Sequence, residues 1–139
     1  YSRFLFEKEV FERREDSELN ADELNEIMES SQKQTYGDGL DSRYLQKWMW
    51  TWKPHYYSTG LSFYNYPYAF GLLFGTGLYG IYQQRGKSFI ADYEALLAST
   101  GEAPAADLAA RFGIDIRSKS FWQDSLKVIE KRIDRYCQL

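Results

Sequence analysis

Residues His55–Tyr82 read HYYSTGLSFYNYPYAFGLLFGTGLYGIY, and the rest of the chain is interpreted around them. The stretch holds no Asp, Glu, Lys or Arg, yet it contains the single histidine of the chain and seven tyrosines. Its second half is an apolar run spaced by Gly71, Gly75, Gly77 and Gly80. Pro67 suits the first turn of a helix, where its missing amide has no partner to lose. The pattern therefore predicts a helix over 67–84 that stops at Gly86. Each interior glycine costs about 1 kcal/mol relative to alanine. Packing must offset that cost, so this is expected to be the most buried helix, with its glycines admitting a close neighbour. Pro54 turns Lys53 away from helical angles and breaks the chain just before His55.

On the amino-terminal side, residues 2–16 place Phe4, Val10 and Phe11 on one helical face with charges interleaved on the other, and Glu9 and Arg13 stand four apart. Asn20 and Glu23 form a capping-box pair, opening a helix that carries Leu24, Ile27 and Met28 inward to about residue 34. The segment YGDGLD, residues 36–41, has two carboxylates but lacks the ligand ladder of a calcium loop, and a turn is expected there. Trp48, Trp50 and Trp52 alternate as in a strand, but no second strand signal exists to pair with them, so coil or a helical turn is expected.

On the carboxy-terminal side, Phe89, Ile90, Tyr93, Leu96 and Leu97 mark a helix closed by Gly101, and Pro104 starts a shorter one that ends at Gly113. Ser120 and Gln123 offer a second capping box. Trp122, Leu126, Ile129, Ile133 and Tyr136 then follow helical spacing, predicting a final amphipathic helix. The fold class expected is all-α, with no β-sheet. A single helical domain over residues 1–139 is expected, without repeat or low-complexity segment.

Composition removes several functions. With 17 Lys and Arg against 20 Asp and Glu the net charge is only -3, and no basic stripe is present, so no nucleic-acid partner is expected. The lone Cys137 excludes an internal disulfide framework and fits a reducing, cytoplasmic setting. A membrane span needs ~20 apolar residues, and Asn65, Pro67 and the phenol hydroxyls leave only Ala69–Tyr82 strongly apolar, so no membrane partner is expected. No HExxH, cysteine pair or second histidine is present, which leaves this chain without a metal site of its own. The GxG within GLLFGTGLYG lies inside a helical pattern and not between strand and helix, so it is no phosphate loop. Cys137, in the last turn of the terminal helix, is expected to be a bystander. The start at Tyr1, with no signal segment, is expected of a fragment or processed product.

His55 and the tyrosines remain. A tyrosine cluster is by default a structural core in which each buried hydroxyl finds one partner. Neutral hydroxyl and imidazole donors beside a chain break also suit the wall of a cleft that faces a developing oxyanion. Composition leaves both readings open.

Six segments, SRFLFE, QTYGDGLD, WMWTWKPHYYSTGLSFYNYPYAFGLLFG, YEALLASTG, FGIDIRSKSFW and SLKVIEKRID, together resemble the carboxy-terminal part of oligoendopeptidase F. That enzyme belongs to the zinc metallopeptidases that include thimet oligopeptidase. The resemblance covers nearly the whole chain in matching order, and the HYY…FYNYPYAFG block is its most specific element. It implies an all-helical, zincin-type fold that hydrolyses short peptides, with zinc held by the two histidines of an HExxH motif and a downstream glutamate. Those residues would precede Tyr1, so zinc is implied for the intact enzyme and none for this chain, which would be inactive alone. The partners implied are an oligopeptide substrate and the upstream part of the same polypeptide.

The resemblance also implies that a histidine and following tyrosines donate hydrogen bonds to the scissile carbonyl and the tetrahedral intermediate. His55 matches the histidine. Tyr64, Tyr66 and Tyr68 all fall near the expected spacing, with Tyr68 and Tyr64 preferred as donors, and Tyr57 is placed at packing or substrate contact. Two alternatives stand beside this reading: a non-catalytic helical interaction module, and a binding surface on Trp48, Trp50 and Trp52.

Overall fold

A computed structural model describes residues 1–56, 58, 60–61 and 64–139. Among the described residues every regular element is helical: α1 (Ser2–Arg13), α2 (Ala21–Tyr36), α3 (Met49–Trp52), α4 (Tyr66–Arg85), α5 (Ile90–Ala98), α6 (Ala105–Arg111) and α7 (Lys119–Cys137), joined in places by short 3-10 turns. The fold is all-α, as expected. The chain divides into two units, residues Tyr1–Ala69 and Phe70–Leu139.

In the first unit α1 packs on α2, and their apolar faces meet as a core of Phe6, Val10, Ile27, Met28 and Tyr56, flanked by Leu19, Leu24, Met49 and Trp50. Burying each such side chain contributes roughly 1.5–3 kcal/mol. The face of α1 differs from the expected one: Phe6 and Val10 are buried with Ser2 and Glu7, while Phe4 and Phe11 face solvent. Several apolar residues ring this helix, and α2 covers the arc that Ser2, Phe6 and Val10 share at four-residue spacing.

The capping box opens α2 as expected: the Asn20 side chain accepts from the amides of Asp22 and Glu23, and Glu23 accepts from the Asn20 amide at 2.9 Å. Gly37–Gly39 form a 3-10 turn after it. Gln32, fully buried, holds the segment beyond that turn by donating to the Gln46 carbonyl at 3.0 Å and accepting from its amide at 2.9 Å. The alternating tryptophans form one helical turn, with Trp50 Nε1–H donating to Asn25 Oδ1 at 2.9 Å while Trp48 and Trp52 stay exposed.

The core of the second unit is Leu78, Phe89, Leu96, Leu108, Ala109 and Ile114, with Phe74, Ile81, Phe112, Ile116 and Phe121 against it. α6 ends on Gly113 at φ 72°, where the amides of Gly113 and Ile114 return to the carbonyls of Ala110 and Ala109. This is a left-handed cap that glycine adopts without strain and that turns Ile114 into the core.

Four expectations are corrected here. α4 is not the most buried helix, since only Gly77 and Leu78 of its twenty residues are buried. Its glycines also do not share one role: Gly77 presses on Phe121 and Ser125, Gly80 touches Val128, and nothing stands within 4 Å of where a side chain would begin at Gly71 or Gly75. α7 begins at Lys119, with Ser118 and not Ser120 as its cap, the Ser118 side chain accepting from the Ser120 amide. The face of α7 that packs on α4 is Phe121, Ser125 and Val128, while Leu126, Ile133 and Tyr136 of the expected stripe are exposed. Among the described residues no helix is long and apolar enough to cross a membrane.

Candidate functional site

His55 sits on the 3-10 turn Pro54–Tyr56, which begins where Pro54 halts α3. Tyr68 sits in the first turn of α4, one residue after Pro67. The fold brings the two together: His55 Nε2 and Tyr68 Oη are 3.0 Å apart, and their rings meet edge-on at 75°. Tyr64 packs edge-on against both Tyr68 and Tyr66, with ring centroids 6.4 and 5.9 Å away. Its amide donates to the His55 carbonyl at 3.4 Å, tying the strand of chain before α4 to the histidine turn. All four predicted donors, His55, Tyr64, Tyr66 and Tyr68, thus form one cluster. Tyr57, the predicted substrate contact, lies outside the described residues.

The cluster is not a sealed core. Tyr66 and Tyr68 are 62% and 60% exposed and Tyr64 is 38% exposed, so none of the three side chains is enclosed. The buried member of the aromatic block is Tyr56, which packs on Phe6 at 5.0 Å between ring centroids. Burial, and next the nearby Glu7 carboxylate, push the Tyr56 phenol well above the ordinary tyrosine range, with Arg3 opposing. It stays protonated and ties the His55 turn to α1 through its contact with Phe6.

His55 Nδ1 is buried and has no hydrogen-bond partner among the described residues. A proton on Nδ1 would be an orphaned buried donor, whereas a proton on Nε2 leaves only a lone pair there; orphaned N–H groups are the rarer of the two. The arrangement favours the Nε2–H tautomer, which donates to Tyr68 Oη. The Tyr68 hydroxyl hydrogen is then left to point at a further acceptor. His55 then spends this N–H on Tyr68, and the Tyr68 hydroxyl is the outward donor of the pair, the type of neutral group that stabilises a developing oxyanion without a charge of its own to desolvate.

Sequence reasoning missed Glu7 and Asn65. Glu7 on α1 is 5% exposed. Its carboxylate accepts the side-chain amide of Asn65. Burial raises the Glu7 carboxyl above the ordinary carboxylate value, while hydrogen bonding by Asn65 and then His55 oppose the rise. Asn65 is the residue just before α4, and its carbonyl accepts the Tyr68 amide at 3.2 Å.

Among the described residues no three His, Cys, Asp or Glu side chains gather as a metal site. Cys137 is exposed at the end of α7. A surface hollow of the second unit, lined by Gly80, Gln84, Asp115, Asp124 and Lys131 among others, carries neither histidine nor tyrosine. Comparison with protein-family models, with curated proteins and with solved structures gives no match.

Proposed function

We propose that this chain is the carboxy-terminal portion of a cytoplasmic zinc metalloendopeptidase, akin to oligoendopeptidase F, that hydrolyses short peptides. In this reading the Tyr68 hydroxyl, oriented by His55 Nε2–H, forms the hydrogen-bonding wall of the site, with Tyr64 and Tyr66 completing it. The observation that carries the reading is the 3.0 Å pairing of His55 with the exposed Tyr68, between residues thirteen apart on separate elements. The six resembling segments in their order support it too. A metal in such an enzyme polarises the carbonyl and activates water; its ligands would belong to the upstream part of the polypeptide. The residues of this chain bind the peptide carbonyl, orient it, and meet the negative charge that grows on its oxygen. Neither nucleic acid nor membrane has a part in this reading.

The test is a quenched fluorescent oligopeptide assay on the longer polypeptide bearing an upstream HExxH segment, supplied in one chain or in trans. Tyr68→Phe should lower kcat by a factor on the order of a hundred or more, equivalent to ~3 kcal/mol for one oxyanion donor, with a smaller change in KM. Unchanged kcat in both Tyr68→Phe and His55→Ala would overturn the donor assignment, and absence of any zinc-dependent cleavage would overturn the peptidase reading.

A second reading, a non-catalytic helical interaction module, draws on Trp48 and Trp52, which are 50% and 59% exposed. Under it, Trp48→Ala with Trp52→Ala abolishes partner binding, and Tyr68→Phe alters nothing that can be measured.

A further inference from the structure

The surface hollow of the second unit encloses about 760 Å³, within the roughly 300–1,000 Å³ range of sites that take small ligands. Its floor is apolar, built from Ile81 of α4, Ile114, and Phe121 and Val128 of α7. Its walls carry two carboxylates, Asp115 and Asp124, and two ammonium groups, Lys127 and Lys131. The two signs are not mixed evenly. Gly77 faces Phe121 and Ser125, and Gly80 faces Val128, so α4 and α7 run in the same direction along the hollow. Lys131 therefore stands at the end that Gln83 and Gln84 also line, while Asp124 stands at the other with Ser120. The Ser118 amide donates to the Asp115 carbonyl at 3.3 Å, which puts Asp115 at this second end, beside the start of α7.

Local pairing leaves one charge free at each end. Lys127 donates to Asp124 at 2.8 Å. The base nearest to Asp115 in sequence, Arg117, goes to Asp107 at 3.0 Å. Asp115 Oδ1 accepts the Arg117 amide at 2.9 Å, and its other oxygen takes no hydrogen bond among the described residues. Among the same residues Lys131 has no ion pair, and Gln83 and Gln84 have no side-chain hydrogen bond. A single free charge on a surface is ordinary. Two of opposite sign at the two ends of one apolar-floored hollow complement a dipolar molecule, and neither a simple ion nor an apolar compound uses both.

Length narrows the class. Asp124 and Lys131 are seven residues apart on α7, about 10 Å at a rise of about 1.5 Å per residue. An extended chain advances about 3.3 Å per residue, so about three residues cover that span. In a single amino acid both charges sit on one carbon and cover only a fraction of it. We propose that this hollow binds a short extended peptide with free termini, its ammonium group at Asp115, its carboxylate at Lys131 and its central side chain on the floor of Ile114, Phe121 and Val128. Gln83 and Gln84 meet the peptide backbone at the Lys131 end. The site uses residues of the second unit alone and stands whether or not the His55–Tyr68 pair is catalytic.

The tripeptide Ala-Leu-Ala, titrated into the nitrogen-15-labelled 139-residue chain and followed by amide NMR, tests this. Saturable shifts of the Ser118, Ser120 and Lys131 amides and of the Gln83 and Gln84 side-chain amides are expected. Capping either terminus, by acetylation or by amidation, should weaken binding about three- to fivefold, the effect of one half-exposed ion pair. Each variant should then be blind to one end only. Lys131→Gln should weaken the uncapped peptide by that factor and bind the amidated one as the wild type does. Asp115→Asn keeps Oδ1 for the Arg117 amide and should lose only the preference for the free amine. Shifts that fail to saturate, or that fall elsewhere on the chain, overturn the site. Saturable binding that ignores both caps reduces the hollow to an apolar contact and overturns the peptide assignment. If each cap matters but neither variant cancels its cap, Asp115 and Lys131 are not the charges that bind, and the proposal falls. No cleavage is measured, so failure here and failure of the peptidase reading are separate results.

Discussion

Gly77 and Gly75 stand half a turn apart on α4, and replacing each by alanine should move stability in opposite directions. A methyl group at Gly77 would lie 2.5 Å from Phe121 Cζ and 2.5 Å from Ser125 Oγ, well inside contact distance. Neither neighbour can simply step aside. Phe121 packs on Phe74 and on Trp122, and Ser125 is fully buried with its hydroxyl donating to the Phe121 carbonyl at 3.0 Å. Overpacking of this kind costs about 1–3 kcal/mol. Against it stands a helix-propensity gain of about 1 kcal/mol for glycine to alanine. The net for Gly77→Ala is a loss of up to about 2 kcal/mol. At Gly75 nothing lies within 4 Å, so only the propensity term acts and Gly75→Ala should gain about 0.5–1 kcal/mol. The two variants should therefore straddle the wild type in urea midpoint at unchanged slope. If Gly77→Ala matches Gly75→Ala, α7 does not approach α4 as closely as described, and the packing argument for this glycine fails.

Two further outcomes follow from the first unit. Because burial lifts the folded-state Glu7 carboxyl above its unfolded value, the folded chain holds this proton more tightly, and stability falls as pH rises through the window between the two values. Glu7→Gln has no such proton, so its stability relative to wild type should improve as pH rises above the ordinary carboxyl value of 4.5 and then level off; urea midpoints on both sides of that rise check it, and a flat difference would refute it. Gln32→Leu should cost about 2–3 kcal/mol, since it strands both the amide and the carbonyl of Gln46. Thermal midpoints and amide exchange at Gln46 measure it, and a cost under ~0.5 kcal/mol, the range of ordinary surface changes, would show that water replaces the clamp.

Local chemistry carried the helix ends and kinds far better than it carried the faces. Asn20 with Glu23, Pro104, Gly101 and Gly113 announce helix boundaries because each solves a backbone problem within a few residues of itself. The faces of α1 and α7 are decided elsewhere. Phe4, Phe6, Val10 and Phe11 leave α1 apolar on more than one side, so composition could not choose the arc that α2 would cover. On α7 the better apolar stripe, with Leu126 and Ile133, lost to Phe121, Ser125 and Val128, because a glycine on α4 gives close approach only to a face that is partly small. Glycine spacing in turn misled on α4, where only Gly77 is closely packed.

The same division separates what was legible in the site. His55 and Tyr68 drew notice because an imidazole and a row of phenols in an uncharged stretch are conspicuous, and the resemblance supplied a role for them. Glu7 drew none, because in SRFLFEKEVFERRED it is one of several carboxylates interleaved with bases, all of which suit a solvated helix face. Only its position three residues before Val10 and next to Phe6 marks it as different, and that signal has meaning only once the buried arc of α1 is known. A second conspicuous absence points the same way. No described base pairs with Glu7, whereas Glu9 and Glu12 take Arg13 and Lys8 at four-residue spacing. A carboxylate left out of the surface pairing of its own helix and met instead by the Asn65 side-chain amide fifty-eight residues on ties α1 to the residue that precedes α4.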